Sequence, residues 1–278
     1  MTIPVLLAVL GAALLHATWN ALVRIGASRV GAMVVLSVVQ GGVGFLIALT
    51  RPFPSGEVWL WLLSSGLIHT AYKVFLTFAY EHGDLSRVYP LARGTAPLVV
   101  LVVGSAVLGE SLAAAEVAGI VTLGGGILML ARGVWTSGES LKLLPFALGS
   151  ALATAGYTVV DGLGARILGD ATAFVGWMFL LDGIGLTLFM LVVRGSAAIP
   201  RGWRAWGTGG VAALASYGSY WVAVWAMTLA PIALVAALRE TSILFAVLIG
   251  WLIFRERMTP GKAASVGLIV AGVVLTRL

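Results

Sequence analysis

Runs of apolar residues follow one another along almost the entire chain, each close to the roughly 20 residues a helix needs to cross a hydrocarbon core. Ten such spans are drawn at about 3–24, 31–49, 58–80, 85–108, 113–132, 143–165, 171–193, 204–229, 231–254 and 260–277. None shows the alternating polarity of a barrel strand, so helices are the predicted spanning element. The breaks carry turn chemistry: Arg51-Pro52-Phe53-Pro54-Ser55-Gly56, Gly83-Asp84, Gly133 to Ser140, and Ile199-Pro200-Arg201-Gly202.

The pattern occurs twice. Leu91-Ala92-Arg93-Gly94-Thr95 through Gly109-Glu110 reappears as Ala237-Leu238-Arg239-Glu240-Thr241 through Arg255-Glu256, and the same offset of 146 pairs Gly104 with Gly250 and Gly126 with Gly272. Gly11 of the first span corresponds to Gly149 of the sixth. The Gly133–Ser140 break then divides the chain into two five-helix units, 1–138 and 139–278. An odd number of crossings per unit inverts the second relative to the first, the plan that places a ligand site between repeats near the membrane midplane. The expected fold is an all-α polytopic membrane protein of ten transmembrane helices in two inverted five-helix repeats.

Composition agrees: 60% of the 278 residues are hydrophobic and 10% charged, far from the roughly 25% charged residues of a soluble domain. The net charge of +6 comes from short loops, so the basic residues are expected to meet lipid headgroups and no nucleic acid. One face collects Arg24, Arg29, Arg87, Arg132, Lys142, Arg194, Arg201, Arg204, Arg255, Arg257 and Lys262, the other Arg51, Arg166 and Arg277. That bias predicts the first face in the cytoplasm and both termini outside. The first span lacks a basic leader and reads as a retained helix. There is no cysteine, which removes disulfides, thiolate metal sites and cysteine nucleophiles.

Six ionisable residues fall within spans: Lys73, Arg93, Asp161, Asp182, Arg239 and Glu240. Left uncompensated, they would cost about 15–20 kcal/mol on the insertion scale, so they are expected to be paired or to line a hydrated cavity. Helical spacing places His16 with Asn20, His69 with Tyr72 and Lys73, Tyr89 with Arg93, and Tyr157 with Asp161 on shared faces. Trp19 sits beside the first pair, and span eight carries Tyr217, Tyr220, Trp221 and Trp225 as an aromatic stripe. The candidate substrate-binding set is therefore His16, Trp19, Asn20, His69, Tyr72, Lys73, Tyr89, Arg93, Tyr157, Asp161, Tyr217, Tyr220, Trp221, Arg239 and Glu240.

Each has a structural alternative: ion pairing or helix-break support for the arginines, charge neutralisation for the carboxylates, and helix packing for the aromatics. Trp59, Trp61, Trp203 and Trp206 lie near span ends as interfacial anchors. The glycine pairs inside spans lack the lysine and hydroxyl of a phosphate loop and suit close helix contact. No metal or nucleophile constellation, and hence no enzyme activity or cofactor, is expected.

The motifs Ala79-Tyr80, Tyr89-Pro90-Leu91, Pro97-Leu98, Leu108-Gly109-Glu110-Ser111-Leu112 and Gly119 resemble the EamA type of the drug/metabolite transporter superfamily. The second copy runs Ala226, Pro231, Phe254-Arg255-Glu256-Arg257-Met258 and Gly272. The resemblance spans the chain and is similar to bacterial inner-membrane exporters of amino acids and aromatic metabolites. It implies a central cavity lined by helices one, three, four, six, eight and nine, alternating access, a small-molecule substrate and a monomer. Efflux of drugs or aromatic cations is the second reading, and a non-transporting receptor or scaffold the third. Two departures stand out. Ile243 replaces the proline expected in the second copy, which predicts a ninth span straighter than the fourth, and the loop charges place the termini outside where many relatives have them inside.

Overall fold

The computed structural model describes residues 1–25, 29–82, 93, 95–131, 143–253 and 255–278. Among these, every regular element is helical: α1 (Ile3–Ile25), α2 (Arg29–Leu49), α3 (Val58–His82), α4 (Ala96–Ala106), α5 (Ala114–Ala131), α6 (Leu143–Leu168), α7 (Ala171–Arg194), α8 (Trp203–Met227), α9 (Ile232–Arg239), α10 (Ser242–Leu252) and α11 (Pro260–Leu275), with a 3-10 turn at Gly195–Ala198. Tyr89 and the predicted start of span four lie outside the described residues.

The polarity is that of a bundle built for lipid. Leu7, Leu46, Leu60, Leu67, Val102 and Val192 point outward and are exposed, whereas all six ionisable residues expected within the spans are 4% exposed or less. Hydrocarbon favours this inversion because an unpaired charge there is expensive and an exposed leucine is not. Five stretches are long and apolar enough to cross a membrane: Ile3–Val23, Val30–Leu49, Leu144–Leu168, Ala171–Ala198 and Ile232–Leu252. α3 and α8 have the length, 25 residues each. Their apolar character is diluted by buried Ser65, His69 and Lys73 in α3 and by Ser216, Ser219 and Tyr220 in α8. Interior chemistry thus lowers the apolar character of two full-length helices.

Packing follows the duplication. α1 lies along α8 as α6 lies along α3, while α2 packs on α7 and α5 on α11 across the two halves. The α5–α11 contact needs glycine: a Cβ on Gly119 would stand 2.7 Å from the Gly272 carbonyl oxygen, and one on Gly272 2.7 Å from that of Gly119. Small residues let two backbones approach this closely where lipid supplies no hydrophobic drive. α3 and α8 also open alike, with the Trp59 indole N–H donating to the Pro54 carbonyl and that of Trp206 to the Pro200 carbonyl, both at 2.8 Å.

Span nine is interrupted, and its comparison with span four, expected to be the less straight of the two, falls on residues outside those described. It breaks after Arg239, with Glu240 and Thr241 in a turn before α10 begins. The turn is held by N–H bonds from Glu240 to the Ala237 carbonyl at 3.0 Å and from Thr241 to that of Leu238 at 3.1 Å. Tight i to i+3 bonds end a helix without any proline, so the break in span nine needs none at Ile243. α4 and α10 are equivalent in the repeat, Ala96–Ala106 and Ser242–Leu252. They also finish alike: Gly109 and Arg255 adopt φ of 64° and 54°, and the following Glu110 and Glu256 N–H groups return to the Gly104 and Gly250 carbonyls at 2.9 and 3.0 Å. Arg255 is the only non-glycine with positive φ among the described residues. The repeat imposes there a left-handed conformation that its other copy gives to glycine.

Candidate functional site

The interior charges gather where α1, α2, α3, α6, α7, α8 and the α9 break converge. A cavity of about 40 Å³ opens among them, lined by polar His16, Gln40, His69, Lys73, Arg93 and Arg239 together with Trp19, Met33, Leu36, Tyr72, Tyr157, Phe179, Ser216 and Tyr220. It has room for a few water molecules, well below the roughly 300 Å³ at which ligand pockets begin. The arrangement is a contracted one.

Three buried networks frame this cavity. Lys73 Nζ donates to Ser37 Oγ at 2.7 Å, to Gln40 Oε1 at 3.0 Å and to Asp182 Oδ2, while Gln40 Nε2 donates onward to Ser216 Oγ at 3.1 Å. All three ammonium hydrogens are thereby used. Arg93 Nε and Nη2 reach the two carboxylate oxygens of Glu240 at 2.8 Å each, a fork-to-fork pair from opposite halves of the chain. Asp161 Oδ2 receives both the Tyr220 hydroxyl and His69 Nε2, the latter at 2.8 Å, and the His69 ring stacks on Tyr157 with centroids 4.0 Å apart.

Arg239 differs from the other cations. It is 2% exposed, and its Nε and Nη1 have no hydrogen-bond partner among the described residues. Its nearest carboxylate contact is Nη2 to Glu240 Oε1 at 3.7 Å, and that carboxylate is already forked onto Arg93. The guanidinium instead lies over the rings of Tyr157 and Tyr220, 5.8 and 5.5 Å from their centroids, a cation–π seat that holds the cation but satisfies none of its N–H groups. A buried donor without an acceptor is costly, and a ligand that supplies one is correspondingly favoured.

Of the sequence candidates, His16, Trp19, His69, Tyr72, Lys73, Arg93, Tyr157, Tyr220 and Arg239 line the cavity. Asp161 and Glu240 sit behind it, as partners of lining residues. Asn20 turns back to the His16 carbonyl at 2.9 Å. The aromatic stripe of α8 divides: Tyr217 leans on Phe179 at 4.9 Å between centroids, and the Trp221 indole donates to Thr172 Oγ1 of α7 at 3.0 Å. Neither reaches the lining: Trp221, one residue on from Tyr220, is turned away by about 100°, and Tyr217, though buried on the same face, sits behind Phe179. Gln40 and Phe179 line the cavity without having been expected there. Gln40 could have been found as the single amide within the apolar run of span two. Among the described residues, no group of three His, Cys, Asp or Glu could hold a metal ion.

A duplicated helical bundle with apolar exterior, buried paired charges and a central polar cavity is a multi-pass membrane protein of the solute-transporter class. The EamA-like transporter family model matches residues 3–132 and again 141–278, and the chain belongs to that family. A crystal structure of a protein is similar over 99% of this chain and 98% of its own, with a TM-score of 0.77 at 21% identity, a likeness of fold alone. No curated protein sequence matches the chain.

Proposed function

We propose that this EamA-like transporter carries amino acids with large apolar or aromatic side chains out of a bacterial cell across its inner membrane. Ten helices in two inverted repeats would rock about the central cavity and expose it to each side in turn. The observation that carries the substrate class is Arg239, a buried guanidinium with open N–H groups set against Tyr157 and Tyr220. A substrate carboxylate supplies the missing acceptors. The tyrosines and Phe179 offer surface to the apolar side chain, and the amino group lies toward the His69–Asp161 pair.

The same feature disfavours efflux of aromatic cations. Lys73 and Arg93 are matched by Asp182 and Glu240, so an entering cation without a carboxylate would bring a further positive charge beside Arg239 and offer nothing to its open N–H groups. Proteoliposomes are expected to take up phenylalanine, tryptophan and methionine faster than aspartate or lysine. Preference for aromatic cations would replace this reading with the drug-efflux one, and no movement of any solute would favour a receptor or scaffold. Orientation is tested separately with single cysteines at Ser55 and Ser196, both exposed. The loop-charge bias predicts that an impermeant thiol reagent on intact cells labels the first and not the second.

A further inference from the structure

Beside Arg239, the cavity holds a second unmet donor whose identity is set by its neighbour. His16 lines the cavity from α1, and its Nε2 is buried without a partner among the described residues. Its other ring nitrogen, Nδ1, receives the indole N–H of Trp19 at 3.2 Å, the two rings meeting edge to face with centroids 5.0 Å apart. Indole nitrogen is a donor only. Nδ1 must therefore carry a lone pair, which leaves the single proton of a neutral imidazole on Nε2. A doubly protonated ring would have no acceptor to offer Trp19. Asn20 Nδ2 bonds the His16 carbonyl at 2.9 Å and steadies the same turn.

The buried polar atoms of cavity-lining residues without partners among the described residues are thus His16 Nε2, Arg239 Nε and Arg239 Nη1. All three are donors. We infer that His16 and Arg239 form a three-donor clamp for a carboxylate, in which Trp19 acts as a positioning residue that locks His16 into its donating tautomer. This deepens the amino acid reading above and rests on it for the substrate, but assigns to α1 a recognition role that interior charge alone does not suggest. A neutral N–H beside a guanidinium discriminates by geometry: it accepts a planar anion and offers nothing to an ammonium. Neither donor can satisfy the other, and a carboxylate entering the cavity supplies an acceptor to both.

The test uses the purified full-length protein and three probes that share a phenyl ring: phenylalanine, 3-phenylpropionate without the amine, and phenethylamine without the carboxylate. Thermal stabilisation reports binding, since a ligand of the folded state raises its stability. The two carboxylates should stabilise the protein and phenethylamine should not. H16L should weaken both carboxylates at least tenfold, H16Q, which keeps a donor, should lose less, and W19F should fall between the wild type and H16L. On the unaltered protein, imidazole nitrogen NMR should show the proton of His16 on Nε2, a readout independent of whether any variant folds. A proton on Nδ1, phenethylamine binding equal to phenylpropionate, or undiminished phenylalanine binding to H16L would overturn the clamp while leaving amino acid transport standing. Binding of phenylpropionate without phenylalanine would keep the clamp and remove the amino acid assignment.

Discussion

Arg93 and Arg239 occupy the same position in the two halves of the chain, are equally buried at 2% exposure, and border one cavity. Their circumstances are opposite. Arg93 is forked onto both oxygens of Glu240, whereas Arg239 keeps two N–H-bearing nitrogens without partners among the described residues. The difference begins one residue further along: the repeat places Gly94 after the first arginine and Glu240 after the second. That single carboxylate sits in the turn that breaks span nine and reaches across to the other half. The two halves carry equivalent cations, and the carboxylate at this one differing position pairs with the first and not with the second.

The sharpest way to break this comparison is to remove the carboxylate. Glu240→Ala removes the carboxylate forked onto the buried Arg93, and breaking a buried ion pair should destabilise the protein by about 3–5 kcal/mol, seen as a lower unfolding temperature in detergent. Arg93→Leu combined with Glu240→Leu should recover most of that loss, since well-packed apolar residues often replace a buried ion pair without penalty. Arg239→Leu should lower stability by less than about 2 kcal/mol, the worth of its cation–π seat, yet abolish substrate-dependent stabilisation and transport. Equal destabilisation by Arg93→Leu and Arg239→Leu would erase the distinction between scaffold and ligand site.

Helix α11 allows a smaller contrast. Gly272→Leu drives a side chain into the Gly119 carbonyl and the Leu123 side chain, both 2.7 Å from the added Cβ, and should cost about 1–3 kcal/mol by overpacking. Gly267→Leu on the same helix meets nothing within 4 Å and should leave the unfolding temperature unchanged. A like loss at both would mean that α11 is crowded on every side.

The least of the expected effects compares two charged groups at helix ends. Arg166 Nε and Nη2 donate to the Met227 and Ala230 carbonyls at 2.8 and 2.9 Å, where α8 gives way to α9, and the Glu110 carboxylate receives the Ile232 and Ala233 N–H groups that open α9. Both sets serve backbone groups that a helix end leaves unsatisfied. Arg166→Ala should lower stability by about 1.5 kcal/mol. Lys262, paired with Glu256 at 3.2 Å and about a third exposed, should lose less than about 1 kcal/mol on change to Ala, and less still in high salt. A larger loss at Lys262 would reverse the ranking of these helix-end contacts.

Much of the fold was legible because its signals are local and periodic. Span lengths and the interior placement of six ionisable residues depend on residues within a few turns of one another, and the duplicated signature is read by direct comparison of two segments 146 positions apart. The break in span nine was missed because proline was taken as the sign of a kink, while the observed turn closes through main-chain bonds at Glu240 and Thr241. Trp221 was placed with Tyr220 because neighbours in an aromatic stripe look alike in sequence. A rotation of one residue about the helix puts it on Thr172 instead.

The sequence by itself determined that this chain is an internally repeated helical membrane protein, since each apolar run must satisfy its own backbone in lipid and each interior charge must find company. It supplied three cations and three carboxylates for that interior and left their partners open. Only the tertiary structure decided that Lys73 takes Asp182, that Arg93 takes Glu240, and that Asp161 takes His69 and Tyr220 while Arg239 and His16 keep donors unmet among the described residues. Pairing depends on which helix faces which, and residues 59 to 147 positions apart meet through packing that no local pattern encodes.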